Sequence, residues 1–314
     1  MRKEIEQAVA LLGEKDPQSL EQALELIQGT VFSFSMKVCG QREDAEDTMQ
    51  EVLVKSLPRL PKFESPRALL VWLYKVAKNR CLMSRRRSKF APEPDLSLDE
   101  LMPDRRQLLQ IAREGPVNPE SLAIRSQEAR RLREAVQRLP PQYRIVLVLR
   151  DMEGLTDEEV GEITGLRPGT VRVRLHRARV FVRKALSDHR KTTRSSKPYR
   201  VPATAKAPQP HRHVASCKAL FAQLSNYLDE QLDDSMCDEL GKHLDGCEPC
   251  QAFLSSLEKS IQQCRMAPNE SPDPRLAAKL RRDMLLEYQD VMERISKQSS
   301  PASRHRDPLG ISPA

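Results

Sequence analysis

Residues 156–184 constrain the fold more than any other stretch, because they spell two short helices and the turn between them. Thr156-Asp157-Glu158-Glu159 has the form of a capping box, with a threonine at the helix start and a glutamate three residues on. The helix it starts turns Val160 and Ile163 inward. Gly165 permits a tight turn, and Pro168 stands where the first turn of a helix tolerates proline. On the second helix Val171, Leu175, Ala178 and Val182 share one face. The opposite face and its flanks carry Arg172, Val173, Arg174, His176, Arg177, Arg179 and Lys184. Between Arg167 and Lys184 there are seven basic residues and no acidic one. A solvated basic hairpin would share that composition. Cap, turn glycine, N-terminal proline and unbroken basic face together instead predict a helix-turn-helix whose second helix enters a DNA major groove. There arginine suits guanine edges bidentately and phosphates by charge.

The rest of the chain keeps the helical period in short blocks. Ile5, Val9 and Leu12, then Leu20, Leu24 and Ile27, then Val52, Leu53, Leu57 and Leu60 recur at helical spacing. Leu69 to Ala77 is apolar on both sides, which predicts a helix buried between others. With 23 prolines against 11 glycines and 4% aromatic residues, the 314-residue chain suits small helical modules on solvated linkers rather than a β-sandwich or one large core. The predicted fold class is all-α: helical modules over 1–88 and 120–189, a linker over 89–119 with one helix near 105–113, a flexible linker over 190–210, and a cysteine-bearing helical module over 211–264. An amphipathic segment from Leu276 to Ile295 and a disordered end complete the 265–314 stretch. No window approaches the ~18 apolar residues of a membrane span, so a cytoplasmic protein without a membrane partner is expected. No nucleophile–base pair, phosphate loop or open metal site suggests an enzyme.

In the cytosol the seven cysteines are expected to carry no disulfides, with Cys39 and Cys81 as core residues and Cys237 and Cys264 as spare thiols. His243-x3-Cys247-x2-Cys250 has zinc-knuckle spacing, with His243 and Cys247 one helical turn apart. Cys217, 26 residues before His243, completes a Cys3His set if its helix packs antiparallel, and such a closed set is structural zinc chemistry. His211 and His213 are alternative fourth donors, and a C-x-x-C pair can also be a redox pair. From His211 to Gln263 nine acidic residues face four basic ones, a net of −5, whereas Glu120 to Arg190 carries a net of +5. That asymmetry predicts an intramolecular contact between the two modules.

The motif from Leu139-Pro140-Pro141-Gln142-Tyr143-Arg144 through Gly154–Val160 to Pro168–Arg179 resembles region 4 of bacterial sigma factors, most closely the extracytoplasmic-function group. Asp44-Ala45-Glu46-Asp47-Thr48-Met49-Gln50-Glu51-Val52 and Trp72-Leu73-Tyr74-Lys75-Val76-Ala77-Lys78-Asn79-Arg80 are similar to two helices of sigma region 2. The resemblance implies that Asp44, Glu46, Asp47 and Glu51 meet the RNA polymerase core. It implies that Trp72, Tyr74, Lys75 and Asn79 meet the melted −10 strand, and that Arg172, Val173, Arg174, His176 and Arg177 lie over the −35 element of promoter DNA. Met83 stands where many relatives carry an acidic residue, a departure that bears on −10 preference. The cysteine module resembles the zinc-binding anti-sigma domain, which in separate proteins wraps a sigma factor; here it is fused to its own target. The resemblance therefore implies a promoter-directing factor modulated by its own zinc module. The alternative is a stand-alone helix-turn-helix regulator with a zinc or redox sensor domain.

Overall fold

The apolar stripes become helices in the computed structural model, which describes residues 3–14, 16–63, 65–84, 95–102, 122–193, 220–221 and 223–299. No strand occurs among them. Helices α1 (Lys3–Glu14), α2 (Pro17–Cys39), α3 (Arg42–Ser56) and α4 (Pro66–Ser84) form the first bundle, with a 3-10 turn over Leu57–Lys62. The Asp16 carboxylate accepts the backbone N–H groups of Gln18 and Ser19, capping donors that have no partner inside α2. Gly40 ends that helix in the left-handed region at φ 78°, its N–H reaching the Met36 carbonyl. Phe34 stacks on Tyr74 with centroids 4.5 Å apart, and Leu24, Ile27, Met49, Leu53 and Leu73 fill the space around them.

One expectation fails in this bundle. Cys39 and Cys81 are joined in a disulfide, so the chain is not free of them. The last turns of α2 and α4 converge beside the Thr48 hydroxyl, which brings the two Cα atoms to 5.5 Å. Both residues lie inside the core.

After the short α5 (Leu98–Leu101) come α6 (Leu122–Arg138) and α7 (Pro141–Leu147), which widens into a π turn over Val148–Met152. Helices α8 (Asp157–Thr164) and α9 (Pro168–Thr193) follow. The capping box is complete: Thr156 Oγ1 accepts the Glu159 N–H, and Glu159 Oε2 accepts the Thr156 N–H. Gly165 takes φ 78°, and a Cβ on Gly161 would meet the Leu166 carbonyl oxygen at 2.7 Å, so the turn of this helix pair needs both glycines.

The two bundles meet directly. The last carbonyls of α2 lack helical partners, and side chains from across the seam supply them. Buried Arg144 donates to the Val38 carbonyl at 2.8 Å as well as to Val136, Gln137 and Leu139, while the Gln137 amide donates to Lys37. Glu153 sits at the centre of the seam, accepting from Lys37 Nζ at 2.8 Å and from the Tyr74 hydroxyl at 2.6 Å.

Helices α10 (Leu224–Leu228), α11 (Asp234–Asp245) and α12 (Glu248–Arg265) carry a second core of Phe221, Leu224, Leu240, Leu244, Phe253 and Leu257. This core also takes in Val180 of α9 and Leu101 of α5, so it closes only against the preceding helices. An extended strap, residues 267–273, then crosses the first bundle. Asn269 accepts from Ser33 and Lys37, Glu270 pairs with Arg133, and Arg42 donates to the Ser271 carbonyl. Helix α13 (Pro274–Ser299) lies on α2, where Gln28 donates to the Ala277 carbonyl and Arg281 donates to Gln28. The flexible linker expected over 190–210 is corrected at its start, because α9 runs on through Thr193. Its remainder over 194–210, the helix expected near 105–113 and the chain end beyond 299 lie outside the described residues. No helix among the described residues is long and apolar enough to cross a membrane.

Candidate functional site

Helix α9 divides along its length. Its inward face of Val171, Leu175, Ala178 and Val182 packs on α7 and α8. In its first two turns the predicted DNA-facing residues reach solvent: Val173 is 53% exposed, while Arg172 and Arg174 are partly exposed. Arg172 lies 3.7 Å from Asp157, and Arg177 pairs with Asp95 at 3.1 Å.

From His176 onward the picture differs from the sequence expectation. His176 is buried, with Nδ1 2.8 Å from Ser225 Oγ of α10. Burial pushes its pKa down to about 4, and the neighbouring Arg179 and Arg177 add to the shift. Arg179, expected on the solvated basic face, is 1% exposed. Asp151 grips one edge of its guanidinium at 2.6 and 2.8 Å, and Asp229 grips the other at 2.7 and 3.0 Å. Burial opposes its charge, but the two carboxylates outweigh that and keep it protonated. Arg183 lies over the Phe253 ring at 4.2 Å. The common cause is the cysteine module, whose α10 and α12 cover this flank of α9.

Of the predicted −10 residues, Lys75 and Asn79 are exposed, whereas Trp72 is half-buried against Phe63 with Arg59 over its ring. Tyr74 is fully buried on Glu153, which corrects its expected place on an open face. Lys78, between them, donates to the Ile163 carbonyl of α8 at 2.8 Å; burial and then Lys75 lower its pKa. On α3, Asp47 is exposed, Asp44 is half-buried, Glu46 pairs with Arg42, and Glu51 pairs with Lys55 and Arg80. The strap reaches only the start of this helix, at Arg42.

His243 in the last turn of α11, Cys247 before α12 and Cys250 in its first turn place their donor atoms within 4.8 Å of one another. His243 Nε2 lies 3.3 Å from Cys250 Sγ. Two thiols and an imidazole on one point suit zinc, whose closed sites take a fourth donor of the same kind. Cys217 lies outside the described residues, as do His211 and His213. Cys237 and Cys264 stand apart from the cluster as free thiols. Burial pushes the Cys264 thiol up.

Sequence reasoning missed Arg144, Asp151, Glu153 and Asp229 as seam residues. Asp151 and Glu153 did leave a trace, as acids at the end of the apolar run from Ile145 to Leu149.

Comparison with known proteins matches three family models: sigma-70 region 2 over residues 24–90, sigma-70 region 4 over 129–182, and a putative zinc-finger over 217–251. The last match begins at Cys217 and ends just past Cys250. Among curated proteins, the chain is 28% identical to the ECF RNA polymerase sigma factor SigW of Bacillus subtilis, over 55% of this chain and 91% of that protein. It is 34% identical to SigE of Mycolicibacterium smegmatis, over 53% of this chain and 61% of the relative. It is 32% identical to ShbA of Streptomyces griseus, over 44% and 69% respectively.

Proposed function

Because this chain belongs to the ECF RNA polymerase sigma factors, we propose that it carries core RNA polymerase to a set of promoters under the control of its own C-terminal zinc module. A sigma factor is a non-enzymatic initiation factor, so its work is binding. Arg172, Val173, Arg174 and Arg177 read the −35 element, joined by His176 once that residue is uncovered. Trp72, Lys75 and Asn79 hold the melted −10 strand, with Tyr74 buried in the core behind them. An aromatic stacked on an unpaired base contributes ~1–3 kcal/mol, comparable to the cost of unstacking it. Asp44, Glu46, Asp47 and Glu51 meet the polymerase core. Cys217, His243, Cys247 and Cys250 hold zinc, which supplies a closed structural cross-link and no reaction.

One observation carries the regulatory part: the helix that should read DNA gives its middle turns, His176 to Arg183, to the acidic module. Tyr74 and Lys78, on the helix that should hold the −10 strand, are engaged by the region 4 side. Asp47 stays exposed. The closed chain therefore withholds part of each DNA-reading surface, His176 on α9 and Lys78 on α4, and leaves Asp47 of the polymerase-facing helix open. Run-off transcription with core polymerase and a promoter panel tests this, comparing the full chain with one ending near residue 189. Promoter-specific transcripts from the shorter chain, and fewer from the full one, are expected. Equal output would reject inhibition by the tail, and silence from both with no core binding would reject the sigma assignment.

A further inference from the structure

The α10–α11 turn is where the zinc module bonds to both helices of the helix-turn-helix. Glu230 in this turn has φ 55° and is the one non-glycine residue at positive φ among the described residues. Its left-handed backbone closes α10 locally, the Gln231 N–H returning to the Asn226 carbonyl at 2.8 Å. The cap turns the residues on either side of it toward region 4. Asp229 presents both carboxylate oxygens to the buried Arg179 guanidinium, with Arg265 of its own module 3.6 Å away. Gln231 donates to Asp157 Oδ2 at 3.0 Å. Asp157 opens α8 and also accepts from Arg150, with Arg172 beside it. Asp229 and Gln231, on either side of exposed Glu230, thus grip both helices of the DNA-reading unit.

We propose that Asp229-Glu230-Gln231 is the finger with which the zinc module recognises this chain's own region 4. This proposal deepens the regulatory reading above and rests on it. Asp229 supplies the second carboxylate of a desolvated bidentate pair, which selects by geometry as well as by charge. A helix without arginine at position 179 would leave that buried acid with only the half-exposed Arg265 beside it, so the module is matched to its own target. Gln231 extends the grip through Asp157 to Arg172, a residue on the part of α9 that the module does not cover.

Three variants of the full chain test the finger, with zinc content confirming that each module is folded. Hydrogen exchange at residues 176–186 reports docking independently of transcription. Asp229→Ala leaves Arg179 paired with Asp151 and should speed exchange there by roughly tenfold or more, as expected for a lost charge-assisted pair. Gln231→Ala should speed it less. Glu230→Gly keeps the turn without its strain and should leave exchange unchanged or slower. Zinc-bound Asp229→Ala and Gln231→Ala proteins that exchange like the parent would overturn the finger. If Asp229→Ala loses its zinc, Gln231→Ala alone decides. Faster exchange without added promoter output would keep the finger and reject the regulatory reading.

Discussion

Acidification should undock the zinc module from region 4, and His176 sets the size of the effect. Its Nδ1 meets Ser225, its Nε2 has no hydrogen-bond partner, and Arg177 and Arg179 lie on the same helix. The carboxylates nearby, Asp151 and Asp229, are already bound to Arg179. A proton on this ring would be a buried charge without a counter-ion of its own. Docking holds the pKa near 4, against 6.5 for the free side chain. The undocked form therefore binds the proton first as pH falls. The stabilisation is fully present above about pH 6.5 and is lost progressively down to about pH 4. Arg177 and Arg179 stay beside the ring after undocking, so 6.5 bounds the undocked pKa from above. Between pH 7 and pH 5 the docked state therefore loses at most about 2 kcal/mol, up to roughly a twentyfold shift in the docking equilibrium. Hydrogen exchange at residues 176–186, corrected for its intrinsic pH dependence and accompanied by zinc analysis, measures this shift. His176→Asn retains a polar partner for Ser225 and cannot titrate, so its profile should be flat by comparison. An equally steep profile in His176→Asn, or no opening of the zinc-bound parent at pH 5, would refute the argument.

Glu153→Gln leaves Lys37 Nζ without its buried counter-charge and should cost on the order of 3 kcal/mol in urea unfolding; an unchanged midpoint would show that the seam contributes little. Gly40→Ala places a Cβ 2.3 Å from Gln137 Oε1 at a positive φ, so it should lower stability by at least about 1 kcal/mol. Gly169→Ala meets nothing within 4 Å and should leave the melting temperature unchanged or slightly higher. Cys250→Ala should abolish zinc binding by elemental analysis and lower the helix content of α11 and α12, whereas Cys237→Ala should retain the metal.

The legible parts of this chain are those with local causes. The capping box at Thr156, the turn at Gly165, the helix start at Pro168 and the inward stripe of α9 each depend on neighbours within a few residues, so their pattern survives in the sequence. The convergence of His243, Cys247 and Cys250 is local too. The misplaced residues depend on distant partners. Nothing near Tyr74 in the sequence announces Glu153, and nothing near Arg179 announces Asp229. The Cys39–Cys81 disulfide joins residues whose helices converge only in the folded bundle. A basic helix has the same composition whether it faces phosphate or carboxylate, which is why His176 read as DNA-facing and Arg179 as part of the basic face.

That ambiguity has a physical consequence for how the chain works. In the function proposed above, promoter DNA and the cysteine module both recognise α9 through its positive charge, but in different media. At the first turns Arg172 and Arg174 would meet phosphates and base edges across water, where added salt screens the attraction and counter-ion release governs affinity. At the later turns Arg179 meets Asp151 and Asp229 with almost no exposure, where salt has little access. The module is also tethered, so it competes at a fixed effective concentration while promoter DNA must be found. Rising ionic strength therefore weakens the promoter's hold more than the module's and moves the balance toward the closed chain. Release by salt alone is disfavoured on these grounds. On the proposed reading, what opens the chain must act on the dry contacts themselves, on Arg179 and His176 or on the His243, Cys247 and Cys250 cluster between α11 and α12.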